Sequence, residues 1–313
     1  MTLSIIIVNY NTRHLCERCV ESIRYFLNGK VSYEVIVVDN LSTDDSRSWL
    51  ENYCTDKENI IKIYSDSNAG FARANNMGLK IARGKFILFL NSDTYLIDDS
   101  VLKAVEWLCS SPADIFGCGC NLLNADSTTG VSYGYFPELG TVLKEIFTNR
   151  FFRLRAFVPQ RDNEINGIYK IDFPCGAFYL VKAALLNKIG NSFDENFFMY
   201  FEEADLSKRA LLNGYKTMHF GKARIVHLGG GSSNMNQRPF ELQTAFYASW
   251  FYYLEKHKGK IEAFMMKNVL TLYYKLLTVS LKFKNKDCSR FGLELKALKS
   301  AYHHSTINSL EIR

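Results

Sequence analysis

Residues 86–90 read Phe-Ile-Leu-Phe-Leu and stop on Asn91-Ser92-Asp93. An apolar run without alternation suits a central strand of a parallel sheet that is covered on both faces. In open α/β sheets, ligands bind beyond the carboxyl ends of such strands, where the strand order reverses. Asp93 therefore stands where a ligand or a metal is expected. Asn, Ser and Asp are also ordinary turn formers, and taken alone the three residues read equally well as a strand-ending turn.

The rest of the N-terminal half repeats the pattern. Leu3–Val8 is rich in β-branched residues and runs into Asn9-Tyr10-Asn11-Thr12, which can turn the chain and cap a helix. Leu15, Cys19, Val20, Ile23 and Leu27 then recur at helical spacing. Val35–Val38 is a second strand, stopped by Asp39-Asn40, with Ser42, Thr43 and Asp44 available as caps. A third, Ile60–Tyr64, leads to Asn68 and a helix whose expected buried face is Phe71, Ala74, Gly78 and Ile81. Strand alternating with helix at this pace is the signature of a doubly wound fold. Parallel strands would bring Asn9, Asp39, the polar stretch 65–68 and Asn91-Ser-Asp93 to one edge.

Asp98-Asp99-Ser100 caps a further helix carrying Val101, Leu102, Val105 and Leu108, and Ile115–Leu123 reads as another strand. The stretch 124–167 is irregular, aromatic and basic, with Arg150, Arg153, Arg155 and Arg161 in a solvated or partner-facing loop. Strands at 171–173 and 174–181 and a helix over 182–189 follow. Next comes Tyr200-Phe-Glu-Glu-Ala-Asp-Leu206, where Glu202, Glu203 and Asp205 crowd the start of a helix that ends before Gly214. Carboxylates in a first turn are stabilised by the helix dipole, but like charges this close are costly without a shared proton or cation. Two short strands, 216–220 and 224–226, lead to His227 and the Gly229-Gly-Gly231 loop; His227 ends its strand much as Asp93 does.

The composition is globular: 47% hydrophobic and 22% charged, with a formal charge of +6 over 313 residues. That charge favours anionic ligands only weakly and does not point to nucleic acid. Eight cysteines are scattered without zinc-site spacing and read as reduced thiols of a cytosolic chain. The N-terminus starts directly on a strand, unlike a secreted chain, and no apolar stretch approaches the roughly twenty residues of a bilayer span. The tail beyond Pro239 is helical. It runs through Phe246, Tyr247, Trp250, Phe251, Tyr252 and Tyr253 to a stripe of Phe264, Met265, Val269, Leu272, Tyr273, Leu276 and Leu277, with Lys267, Lys275, Lys282, Lys284 and Lys286 interleaved. Such a segment can lie on an anionic membrane as a peripheral contact, dock on the catalytic domain, or pair two copies as a homodimer.

A carboxylate at a sheet switch point, a second acidic cluster and a histidine suit a metal-assisted transfer. The alternative, an inactive glycan-binding or scaffold protein of the same fold, predicts a broken acidic site, whereas Asp39, Asp93 and Glu203 are all present. A hard divalent cation takes carboxylate oxygens and substrate phosphates together, and it neutralises charge on a departing diphosphate. A second carboxylate removes the proton of an attacking hydroxyl. This is sugar transfer from a nucleotide sugar. Ile5–Asn11, Val35–Asn40, Asn68–Gly78, Asn91–Asp93 and Tyr200–Leu206, in that order, resemble the family-2 inverting glycosyltransferases, and within them the rhamnosyltransferase-like branch of bacterial polysaccharide synthesis. The resemblance runs to about Ser233.

That resemblance implies a GT-A fold, a Rossmann-like, mostly parallel sheet flanked by helices. It implies a domain over 1–233, with a nucleotide-sugar half over about 1–110 and an acceptor half over 111–233, followed by a helical extension over 234–313. Asp39, with Asn40 beside it, matches the acid that contacts the nucleoside, and Asn9 and Tyr10 match the turn beside the base. Asn68 and Arg73 line the nucleotide sugar. Asn91-Ser92-Asp93 takes the place of the Asp-x-Asp motif, with Asp93 and His227 toward Mg²⁺ or Mn²⁺. The base comes from Glu202-Glu203, a departure from the usual Glu-Asp pair; Glu203 is the first choice and Asp205 the reserve. Gly176 and Ala177 shape the acceptor pocket, because small residues allow close backbone approach. The expected partners are a nucleotide-diphosphate sugar donor and a glycan or lipid-linked glycan acceptor. A dinucleotide-binding Gly-x-Gly-x-x-Gly after the first strand is absent.

Overall fold

The computed structural model describes residues 1–53, 59–148, 157–158, 166–190, 192–229, 240–284 and 287–303. Arg150, Arg153, Arg155, Arg161, the glycines 230–231, Lys286 and the expected division at 233 lie outside the described residues.

The elements follow in the order β1 (Leu3–Asn9), α1 (Arg13–Leu27), β2 (Tyr33–Asp39), α2 (Ser46–Tyr53), β3 (Ile60–Tyr64), α3 (Gly70–Leu79), β4 (Phe86–Asn91), β5 (Thr94–Leu96) and α4 (Ser100–Ser110). Then come β6 (Ile115–Leu123), β7 (Tyr133–Gly134), α5 (Leu139–Thr148), β8 (Phe157–Val158), β9 (Ile168–Ile171), β10 (Phe173–Pro174), β11 (Phe178–Lys182) and α6 (Ala183–Lys188). The chain ends with α7 (Glu202–Leu212), β12 (Lys216–His227), α8 (Phe240–Lys258), α9 (Lys260–Phe283) and α10 (Ser289–His303).

The main sheet runs β3-β2-β1-β4-β11-β6-β12-β5, with β9 also on β12, and a small sheet runs β10-β7-β8. β1 to β4, β6 and β12 point one way, and β5, β9 and β11 are reversed. The opening strand lies at the centre, fully buried from Phe86 to Leu90. This mixed, largely parallel sheet with helices packed on it is the fold class that the strand–helix rhythm predicts. Its core joins Ile5, Ile7, Val35, Val37, Leu88 and Leu90 to the α1 stripe of Cys16, Cys19, Val20, Ile23 and Leu27. Cys16, Cys19, Cys118 and Cys120 are buried free thiols.

Several local readings change. Residues 216–227 form one strand, not two, with a register irregularity between Phe220 and Arg224 that the sequence shows only as Gly221. Thr94–Leu96 is a strand that periodicity misses because three residues carry no period. Leu139–Thr148 is a helix inside the stretch read as irregular. The buried face of α3 carries Ala72, Ala74, Asn75, Asn76 and Gly78, while Ile81 lies past its end and is exposed. Asn76 is buried because its amide is satisfied: it donates to Phe193 O at 2.9 Å and accepts from Phe193 N at 3.0 Å.

The chain divides into two compact units. The first holds both sheets with α1–α4, α6 and α7 from Glu203 on; the second holds α5, residues 195–202 and α8–α10. The second unit has an aromatic core in which Phe201 packs on Phe246 and Trp250, and Trp250 Nε1 donates to Pro137 O at 2.7 Å.

Candidate active site

Register alignment puts the strand ends together. Asn9 pairs with Asp39, Asp39 with Tyr64, and Val8 with Asn91. From this edge the polar residues bind one another. Asn9 Nδ2 donates to Asp39 Oδ1 at 3.0 Å and to Ser42 Oγ at 3.1 Å, and Ser42 N donates to Asp39 Oδ2 at 3.2 Å. Asn40 Nδ2 donates to Asn68 Oδ1 at 2.8 Å, and Asn40 Oδ1 accepts from Ala69 N at 3.0 Å. Each such bond contributes roughly 1 kcal/mol net, and the lattice holds four strand ends in one arrangement. Asp39 and Asn40 are buried, and Tyr10 is exposed at the turn after β1.

Two residues read as helix caps belong to this lattice. The Thr12 hydroxyl makes no cap bond to α1; it donates to Asn9 Oδ1 at 2.8 Å and lies 2.9 Å from Ser92 Oγ. Ser42 receives Asn9 and also the backbone N–H of Asn11 at 3.0 Å. A hydroxyl after a strand looks the same in sequence whether it caps the next helix or ties two strand ends, so only its neighbours distinguish the roles.

Asp93 and His227 meet across the β5–β12 pairing. His227 is opposite Thr94 in the antiparallel register, and Leu228 N donates to Asp93 O at 2.9 Å. His227 Nε2 lies 3.2 Å from Asp93 Oδ1 yet is a buried atom without a hydrogen bond, as is Asn91 Oδ1 at the end of β4. Two donors each about 2.1 Å from an octahedral cation, at right angles, stand about 3 Å apart, so the spacing fits a shared ion. Among the described residues no group of three or more His, Cys, Asp or Glu side chains is placed to hold a metal ion by itself. A pair of side chains suits a hard cation that is bound jointly with substrate phosphates.

Glu203 reaches the same edge by another route. A turn closed by Phe178 N donating to Cys175 O at 3.2 Å carries Gly176 and Ala177 at its corner, and Asn91 N donates to Ala177 O at 3.3 Å. Gly176 is packed against the Glu203 carboxylate so closely that a Cβ there would overlap Oε1. The carboxyl therefore sits one residue from the backbone that pairs with Asn91. Burial pushes its pKa up to about 7.

The remaining acids of the cluster differ. Asp205 is fully buried, and Arg209 Nε donates to its Oδ2 at 2.9 Å while the same guanidinium binds the carbonyls of Ile189 and Ser192. Asp205 is thus tied, through Arg209, to the backbone of the segment before α7. Glu202 is buried at the first position of α7. Tyr200 and Phe201, just before it, both take positive φ, 74° and 67°, a backbone outlier for aromatic residues. Arg73 is exposed on α3.

The sequence profile of glycosyl transferase family 2 matches residues 4–189, a stretch that includes Asp93 and stops short of Glu203 and His227. A poly(ribitol-phosphate) beta-glucosyltransferase of Bacillus spizizenii is 35% identical over 116 residues, covering 37% of this chain and 18% of that protein. A putative teichuronic acid biosynthesis glycosyltransferase of Bacillus subtilis is 31% identical over 136 residues, 44% of this chain and 53% of its own length. The chain thus spans less than two thirds of either relative. A mannosyltransferase from Pyrobaculum calidifontis, solved with GDP-Man and Mn²⁺, superposes with a TM-score of 0.59 at 14% identity over 97% of this chain and 86% of that one, a likeness of fold. With more than half its length matched by the profile, the chain belongs to glycosyl transferase family 2.

Proposed function

We propose that this chain is an inverting glycosyltransferase that moves a hexose from a nucleoside-diphosphate donor to a hydroxyl of a glycan or lipid-linked glycan in bacterial surface-polysaccharide synthesis. Rhamnose from dTDP-rhamnose is the first donor to test, and a UDP-linked sugar the second. The observation that carries the reading is the Glu203 carboxyl, half-buried and packed against Gly176 beside the end of β4. A carboxyl held near neutrality by burial is matched to proton abstraction at physiological pH. The names of the two relatives, a poly(ribitol-phosphate) beta-glucosyltransferase and a putative teichuronic acid biosynthesis glycosyltransferase, support the acceptor class.

In this reading Asn9, Tyr10, Asp39, Asn40, Asn68 and Arg73 receive the nucleotide. The oxygens of Asp39 retain lone pairs beyond the bonds they accept from Asn9 and Ser42, enough to take nucleoside hydroxyls or imide groups. Asn91, Ser92, Asp93 and His227 face the diphosphate, with Asp93 and His227 as ligands of a divalent cation. Such an ion, when bound, offsets the charge that gathers on the departing diphosphate. The acceptor oxygen attacks the anomeric carbon on the face opposite the diphosphate. The new C–O bond forms as the bond to the phosphate oxygen breaks, and Glu203 takes the hydroxyl proton.

The test pairs binding with stereochemistry. Melting curves with dTDP, UDP and GDP, each with and without Mg²⁺ or Mn²⁺, should show metal-dependent stabilisation by dTDP. Proton NMR of the first product formed from dTDP-rhamnose should show the anomeric configuration inverted. Retention of configuration would overturn the single-base mechanism, and a preference for UDP would replace the donor.

A further inference from the structure

Helix α9 is apolar on both sides. Met266, Leu270 and Leu277 are buried within the second unit. At about 100° per residue, Ile261, Met265, Leu272, Leu276, Val279 and Phe283 align on the opposite side, from 48% exposed at Met265 to 86% at Phe283. An ordinary surface helix is polar there, and isolated exposed apolar residues would not line up over about 33 Å of helix. The stripe seen in sequence is in fact two stripes: Tyr273 and Leu277 belong to the core, and Leu272 and Leu276 to the surface.

On α9 itself the exposed charges along this line are all basic. Lys275 and Lys282 are exposed along its edge, and Lys260 lies further round the helix. The single acid of α9, Glu262, is turned away and accepts Leu139 N at 2.9 Å. α10, packed on α9 in the same unit, likewise exposes Lys296 and Lys299 and buries its one acid, Glu294, on the Tyr247 hydroxyl at 2.6 Å. The α9 and α10 of a second copy would offer these lysines no exposed carboxylate, whereas lipid phosphates match them. Among the described residues no helix is long and apolar enough to cross a membrane. We infer that the exposed face of α9 lies in the plane of an anionic lipid surface, with Leu272, Leu276 and Phe283 at the acyl boundary and Lys275 and Lys282 at the phosphates.

The full chain would be floated with vesicles of phosphatidylcholine alone or mixed with phosphatidylglycerol, and its mass read by light scattering. Binding should require phosphatidylglycerol and weaken in high salt. Leu272→Gln/Leu276→Gln and Lys275→Gln/Lys282→Gln should each weaken it by at least about tenfold, with unchanged melting curves because all four positions are exposed. Failure of the wild-type chain to float with anionic vesicles would overturn the inference, as would undiminished flotation of both variants. A dimer that the leucine variant dissociates would assign the face to a second copy and overturn it too. Flotation does not read sugar transfer, so its failure leaves the proposed reaction standing.

Discussion

The carboxylate of Glu203 rests on the Cα of Gly176, in space that no other residue type leaves open. The glycine has no Cβ, and the missing carbon is where the carboxylate of the proposed base stands. Because the overlapping atom is the end of a flexible side chain, Gly176→Ala should move the carboxylate rather than break the fold. Transfer should fall by about 10²-fold or more, within the range a general base contributes, with donor affinity and melting temperature little changed. Steady-state kinetics with the donor varied would check this, and wild-type kcat in the alanine variant would remove Glu203 from the chemistry.

The pH profile should carry the same signature. Burial holds Glu203 at about 7, above its ordinary 4.5, so kcat should rise about tenfold per pH unit on the acid side and level off above pH 7. The sign for stability is opposite. Between pH 4.5 and 7 the folded chain keeps a proton that the unfolded chain has released, so this group's contribution to stability is lost as the pH rises through that window. Glu203→Gln should therefore melt at a higher temperature than the parent at pH 8 and close to it at pH 4, while transfer drops by about 10²- to 10⁴-fold. An acid limb near 4.5 would contradict the assignment.

Asp93→Ala and His227→Ala should abolish the metal-dependent part of nucleotide binding and leave the far-UV spectrum unchanged. Asp93 supplies an anionic oxygen that the alanine cannot replace, and its loss should lower transfer by more than about 10²-fold. A chelator should do the same to the parent chain. Full activity of Asp93→Ala in the presence of chelator would rule out the ion.

Asp205, the reserve candidate for the base, is held by Arg209 at 2.9 Å. Its partner Arg209 also serves two carbonyls, so Asp205→Ala leaves a partly buried guanidinium short of its counter-charge. Urea unfolding should show a loss of about 3 kcal/mol, with the activity of the remaining folded protein nearly intact. Preserved stability with lost turnover would make Asp205 the base instead.

Much of this arrangement is legible in the chain. Ile5, Val35 and Leu88 sit in uninterrupted apolar runs because a strand covered on both faces buries every side chain, and that pattern is local. So are the polar stops at Asn9, Asp39 and Asn91, whose alignment follows from parallel pairing alone. The bend within β12, the short edge strand Thr94–Leu96 and α5 are not legible, because each depends on neighbours distant in sequence.

The site divides in the same way. The order and spacing of the motifs that carry Asn9, Asp39, Asn68, Asp93 and Glu203 are legible in the sequence and carry the resemblance to family 2, since residue type sets what a group can donate, accept or ligate. The resemblance puts Glu203 ahead of Asp205, but residue type and spacing by themselves do not distinguish Glu202, Glu203 and Asp205, three acids within four positions of one helix. Folding separates them: Arg209 takes up Asp205, Glu202 is buried at the helix start, and Gly176 leaves room for Glu203 beside Asn91. Side-chain chemistry is a property of the residue. Its desolvation, and hence its pKa and its task, is a property of what the fold packs around it.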